Sequence, residues 1–124
     1  MKSDSLFFRQ VHPNFFTEKK LSSQAFAPSP KDKGQLSVYD GDLISAGQSF
    51  EHYTQALKLS SVGVWGLSQA EVVETELTSR PDPLPDSPAH ALIDFGQASS
   101  LECRKRAKKL KIFAEKRGCL YSLG

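Results

Sequence analysis

Apolar and polar positions alternate along residues 6–11, with Leu6, Phe8 and Gln10 on one side and Phe7, Arg9 and Val11 on the other, which predicts a first strand. His12-Pro13-Asn14 ends it, because proline lacks an amide donor and biases its predecessor to extended geometry. Residues 21–26 read as a short extended piece before Pro28-Ser29-Pro30-Lys31-Asp32-Lys33-Gly34, a loop by composition. A second strand at residues 35–39 closes on Asp40-Gly41-Asp42. The spacing then turns helical over residues 45–57, where Phe50, Tyr53, Thr54 and Leu57 recur on one side and Ser45 with Gln48 fits a capping box. Residues 62–67 lack polar alternation, the pattern of a central strand buried on both faces.

Ser68 and Glu71 repeat the capping-box spacing and predict a short helix to about residue 74 or 76. Pro81, Pro83, Pro85 and Pro88 make residues 78–88 an irregular connection. Alternation resumes over residues 89–95, with Ala91, Ile93 and Phe95 opposite His90, Leu92 and Asp94. Ser99 with Glu102 opens a long helix to Arg117, Gly118 stops it, and residues 119–123 suggest a last strand. This order predicts an α+β fold in a single domain over residues 1–124. Its sheet is mixed or mostly antiparallel, of about five strands, with one long C-terminal helix and one or two shorter helices packed on it. At 124 residues and 39% hydrophobic content the chain is long enough to bury a core without staples.

Composition adds compartment and charge. No apolar run approaches the roughly 18 residues of a membrane span, and residues 1–8 fall short of a signal peptide's apolar region. Cys103 and Cys119 stand outside any metal-ligand spacing and read as free thiols of a reducing, cytoplasmic compartment. The formal charge of +2 conceals an asymmetry: residues 98–124 hold 8 Lys and Arg against 2 acids, whereas the preceding 97 residues hold 8 against 12. The basicity therefore lies almost wholly in the last helix.

On a helical wheel Cys103, Ala107, Leu110 and Ala114 share an arc of about 60° that faces the core, with Phe113 at its edge. Arg104, Lys105, Lys108, Lys109, Lys111 and Lys116 spread over about 160° on the opposite side, with Leu101 and Ile112 among them. Like charges at i,i+4 cost a few tenths of a kcal/mol per pair, so helix stability alone does not favour this arrangement. It suits contact with nucleic-acid phosphates or an acidic protein surface, and the competing reading is a solvated lysine-rich face. No zinc finger, helix-turn-helix or RNA-reading aromatic strand accompanies it.

The familiar catalytic strings are missing, which disfavours most large enzyme families, and no pattern calls for a metal or cofactor. Asp40-Gly41-Asp42 lacks the remaining ligands of a calcium loop and reads as a turn. Arg9, His12 and His90 are the candidate catalytic set: two histidines exchanging protons with an arginine holding an anion would suit a small nuclease or nucleotide-modifying enzyme. Arg9 has a second reading as a buried ion-pair partner, Trp65 reads as core, and His52 as a surface position within its helix.

Arg9-Gln10-Val11-His12-Pro13, Ser23-Gln24-Ala25-Phe26 and Leu36-Ser37-Val38 together resemble small bacterial single-domain proteins to which no activity attaches. The resemblance implies a bacterial single-domain protein and assigns no residue a role. The favoured expectation is a binding or accessory protein whose basic helix engages an acidic partner, nucleic acid first. The alternatives are the small enzyme just described and a subunit of an assembly, a homo-oligomer included, formed through Leu101 and Ile112.

Overall fold

The structure, a computed structural model, describes residues 3–28 and 34–123. The loop expected at residues 28–34 lies mostly outside them. Strands β1 (Leu6–Val11), β4 (Gln35–Asp40), β5 (Gly63–Ser68), β6 (Thr78–Pro81) and β7 (His90–Asp94) form a sheet in the order β5-β1-β4-β7-β6. Every neighbouring pair is antiparallel. With helix α3 (Ser100–Arg117) and the shorter helices α1 (Ala46–Glu51) and α2 (Gln69–Glu74), this is the expected α+β architecture. Two short strands, β2 (Phe16–Thr17) and β3 (Lys20–Leu21), make a separate hairpin.

Strand alternation divides the core in two. Phe7, Val11, Leu36, Val38, Trp65, Leu67, Ala91 and Ile93 point to one face, where they pack with Ala107, Leu110 and Ala114 of α3. Phe8, Tyr39 and Val64 point to the other and meet Phe50 of α1, with Tyr53, Leu120 and Tyr121 packed against them. Strand β5 is buried along its whole length, as its unbroken apolar run requires. Both shorter helices open on complete capping boxes, Ser45 with Gln48 and Ser68 with Glu71. At Ser99 the hydroxyl accepts from the Glu102 amide.

Four local expectations need correction. Residues 78–88 are not wholly irregular: Thr78–Pro81 pairs with β7, and proline is tolerated there because β6 is an edge strand. The helix begun at Ala46 changes to a π-helical turn over His52–Ala56. Residues 23–26 form a 3-10 turn capped by Ser22 and not an extended piece. Residues 119–123 are not a strand; a single bridge between Val64 and Tyr121 ties them to β5.

Candidate functional site

Strand β1 pairs with β5 at all six positions but with β4 only at Phe7↔Asp40 and Phe8↔Tyr39. Beyond Phe8 the two strands diverge, and Arg9 occupies the opening. Its Nε donates to the Ala25 carbonyl at 2.7 Å and its Nη1 to the Ser37 carbonyl at 2.9 Å. The segments Arg9–Val11, Ser23–Phe26 and Leu36–Val38 of the sequence thus meet at one guanidinium. Arg9 also lies between two concavities, one on each side of the sheet.

On the α3 side, a groove of about 790 Å³ runs between the helix and the turn at residues 22–28. Arg9, Arg104 and Lys108 line it with Ser22, Ser23 and Gln24. Along α3, Arg106 approaches Glu76 and Glu102, Lys111 approaches Glu115, and Arg117 is paired with Glu71. Arg104, Lys105, Lys108, Lys109 and Lys116 are exposed, with no carboxylate within ion-pair distance among the described residues. Leu101 is 54% and Ile112 49% exposed, and Ile112 shares a shallow depression with Lys105, Lys108 and Lys109. Cys103 is half-buried and Cys119 exposed, both as free thiols. Among the described residues no group of acids, histidines and cysteines could hold a metal ion, and no helix is long and apolar enough to cross a membrane.

On the opposite side, a cavity of about 320 Å³ opens between the π-helical turn and the connection from β6 to β7. Its floor is the cross-strand row Phe8, Tyr39 and His90, set level by the registers of β1, β4 and β7. Ser37 and Gln10 continue it toward the split. Tyr53, Asp86 and Ser87 form its walls, and the partly exposed Leu57, Leu59 and Leu84 its rim.

The histidines take three different roles. His52 is half-buried and bonded at both nitrogens, not free on the surface as its helical position suggested: Nε2 lies 2.8 Å from the Asp86 carbonyl and Nδ1 2.7 Å from the Tyr39 hydroxyl. A carbonyl only accepts, so Nε2 carries a proton and donates to it, while Nδ1 shares the second hydrogen bond with the Tyr39 hydroxyl. Burial, reinforced by Tyr53 and the Asp86 charge, pushes the Tyr39 phenol up to about 12. His90 places Nδ1 3.0 Å from both the carbonyl and a carboxylate oxygen of Asp82. That leaves Nε2 as its unclaimed nitrogen among the described residues. His12 is exposed at the end of β1, where Nδ1 accepts from the Asn14 amide and caps the turn Pro13–Phe15.

Of the candidate catalytic set, Arg9 and His90 therefore line one cavity and His12 does not. Strand rise puts His12 about 13 Å along β1 from Phe8, which is level with His90. Asp40 and Asp42 form a turn in which Asp40 Oδ1 accepts from the Asp42 amide and Asp42 accepts from the Ser5 hydroxyl. Sequence reasoning missed Asp82, Asp86 and the Tyr39–His52 bond. Asp82 meets His90 only because the strands on either side of the proline-rich connection pair, the Asp82 amide donating to the His90 carbonyl. No protein-family profile matches the chain, and neither curated proteins nor solved structures give a match.

Proposed function

We propose that this is a nucleic-acid-binding protein of a reducing, cytoplasmic compartment, with α3 as its phosphate-contacting element. The observation that carries the reading is the separation of cations on α3 into a paired set and an exposed set: five stand on one side with no acid partner among the described residues. Arg104 to Lys116 spans about 18 Å of helix, the length over which one strand of a duplex presents about five phosphates. Ser22, Ser23 and Gln24 add neutral hydrogen-bonding groups beside Arg104 and Lys108, as backbone-positioning contacts require. Exposed Ile112 between Lys108 and Lys109 gives the surface an apolar element for sugar or base contact.

Fluorescence anisotropy with single- and double-stranded oligonucleotides tests the reading, comparing wild type with a Lys105→Glu/Lys108→Glu/Lys109→Glu variant at low and near-physiological salt. Saturable binding that weakens with salt and disappears in the variant supports it. Absence of binding to either oligonucleotide at low salt overturns it.

A further inference from the structure

The cavity on the face of the sheet remote from α3 lies outside the surface proposed for phosphate contact, yet it has the construction of a ligand site. We propose that it binds an uncharged, planar nitrogen heterocycle of the nucleobase type. Its volume of about 320 Å³ stands at the lower end of the range for ligand pockets and admits one compact ring system. Two tyrosines, Tyr39 and Tyr53, and the three rim leucines give the cavity the aromatic and apolar lining that a ring packs against.

The polar groups narrow the class. His90 is held through Nδ1 by Asp82, which orients the ring and leaves Nε2 to accept from a ligand N–H. Tyr53 and Ser37 bring hydroxyls that both donate and accept. A hydrocarbon would bury these groups without partners, whereas a heterocycle with donors and acceptors around its edge satisfies them. Arg9 and Asp86 line the cavity with opposite charges that offset each other, so the lining carries no net charge for a ligand to compensate, which suits a neutral ring.

The test uses adenosine, guanosine, cytidine and uridine, which lack phosphate and so do not report on α3. Each is titrated to millimolar concentration into the isotope-labelled protein while amide and ring resonances are followed by NMR. The expected result is saturable shifts with at least one nucleoside, centred on Tyr39, Tyr53, Leu84 and His90. Binding should weaken about tenfold in His90→Asn, which alters the accepting nitrogen. Because His90 also ties down the connection before β7, Leu84→Glu on the exposed rim is the second variant, expected to weaken binding by a similar factor. No saturable shift with any of the four nucleosides overturns the proposal, as does equal affinity in wild type and both variants. Neither result depends on whether oligonucleotides bind α3.

Discussion

Arg117 grips Glu71 with two parallel hydrogen bonds of 2.7 and 3.0 Å, and the same guanidinium donates to the Gly66 carbonyl at 2.8 Å. The last turn of α3 is thereby fastened to the first turn of α2 and to β5. Glu71 is also the reciprocal partner in the Ser68 capping box, so one carboxylate serves a helix start and an interhelical pair. Glu71 is only 18% exposed, whereas the acid partners of the other pairs along α3 are 39% to 81% exposed, which separates this pair from them.

Burial by itself would raise the Glu71 carboxyl, but the hydrogen bonds from Arg117 and Ser68 and the Arg117 charge outweigh it, and the net shift is downward. A carboxylate depressed in the folded state contributes stability that is complete above its unfolded value and is lost as pH falls through the folded one. Stability should therefore decline as pH drops below about 4.5, and Glu71→Gln should flatten that decline. Glutamine keeps the capping carbonyl, so the loss at neutral pH, roughly 1.5–3 kcal/mol, reports the charged pair. Urea melts of both proteins from pH 3 to pH 7 measure it.

Gln10, Ser49 and Ser61 form a second internal fastening, on the α1 side. The buried Gln10 amide donates to the Ser49 hydroxyl at 3.0 Å and its carbonyl accepts from Ser61 at 3.0 Å. Gln10→Ala removes both bonds and leaves the Ser49 and Ser61 hydroxyls without that partner, so a loss of roughly 1–3 kcal/mol is expected. Thermal unfolding checks it; an unchanged midpoint would show that water replaces the amide.

Two glycines distinguish rigid from yielding neighbours. A Cβ on Gly41 would lie 2.6 Å from the Leu6 carbonyl oxygen, a backbone atom held in the turn, whereas one on Gly66 would crowd the end of the Leu120 side chain at the same distance and meet Arg117 Cδ at an ordinary 3.5 Å. Gly41→Ala should cost roughly 1–3 kcal/mol, and Gly66→Ala distinctly less because Leu120 can rotate away. Parallel denaturant melts compare them.

The cations on α3 differ in availability. If five of them meet phosphates, single removals of Lys108 or Lys109 should each lower the slope of log affinity against log salt by about 1. Lys111 is half-buried and lies 3.7 Å from Glu115, so Lys111→Ala should change the slope less. Anisotropy titrations at four salt concentrations resolve the difference.

The parts of the fold visible in the sequence are those set by local pattern. Alternation in Leu6–Val11 and around Ile93 marked sheet faces, and serine-to-glutamate or serine-to-glutamine spacing marked helix starts. Tertiary context decided the rest. Pro81 suggested a break because proline cannot bond on both sides of a sheet, yet at an edge it needs no second partner. The parting of β1 from β4, filled by Arg9, arises from a register that alternation along a single strand does not specify. His52 looked like an ordinary helical surface residue, since its partners Tyr39 and Asp86 are 13 and 34 positions away.

Tyr39 provides the alkaline counterpart to Glu71. Its phenol ordinarily titrates at 10.0 and is pushed up to about 12, first by burial and then by Tyr53 and the Asp86 charge. In the unfolded chain the proton leaves near 10, while the folded protein retains it, so the unfolded state binds fewer protons across this interval. Stability from this group is complete below pH 10 and is lost as pH rises toward 12. Tyr39→Phe removes the titration but also the hydrogen bond to His52 Nδ1. The variant should therefore be less stable at pH 8, and its stability should fall less steeply between pH 10 and pH 12. Denaturant midpoints across that range, with phenolate absorbance read alongside, measure both effects. A wild-type slope that Tyr39→Phe leaves unchanged would place the alkaline sensitivity at another group.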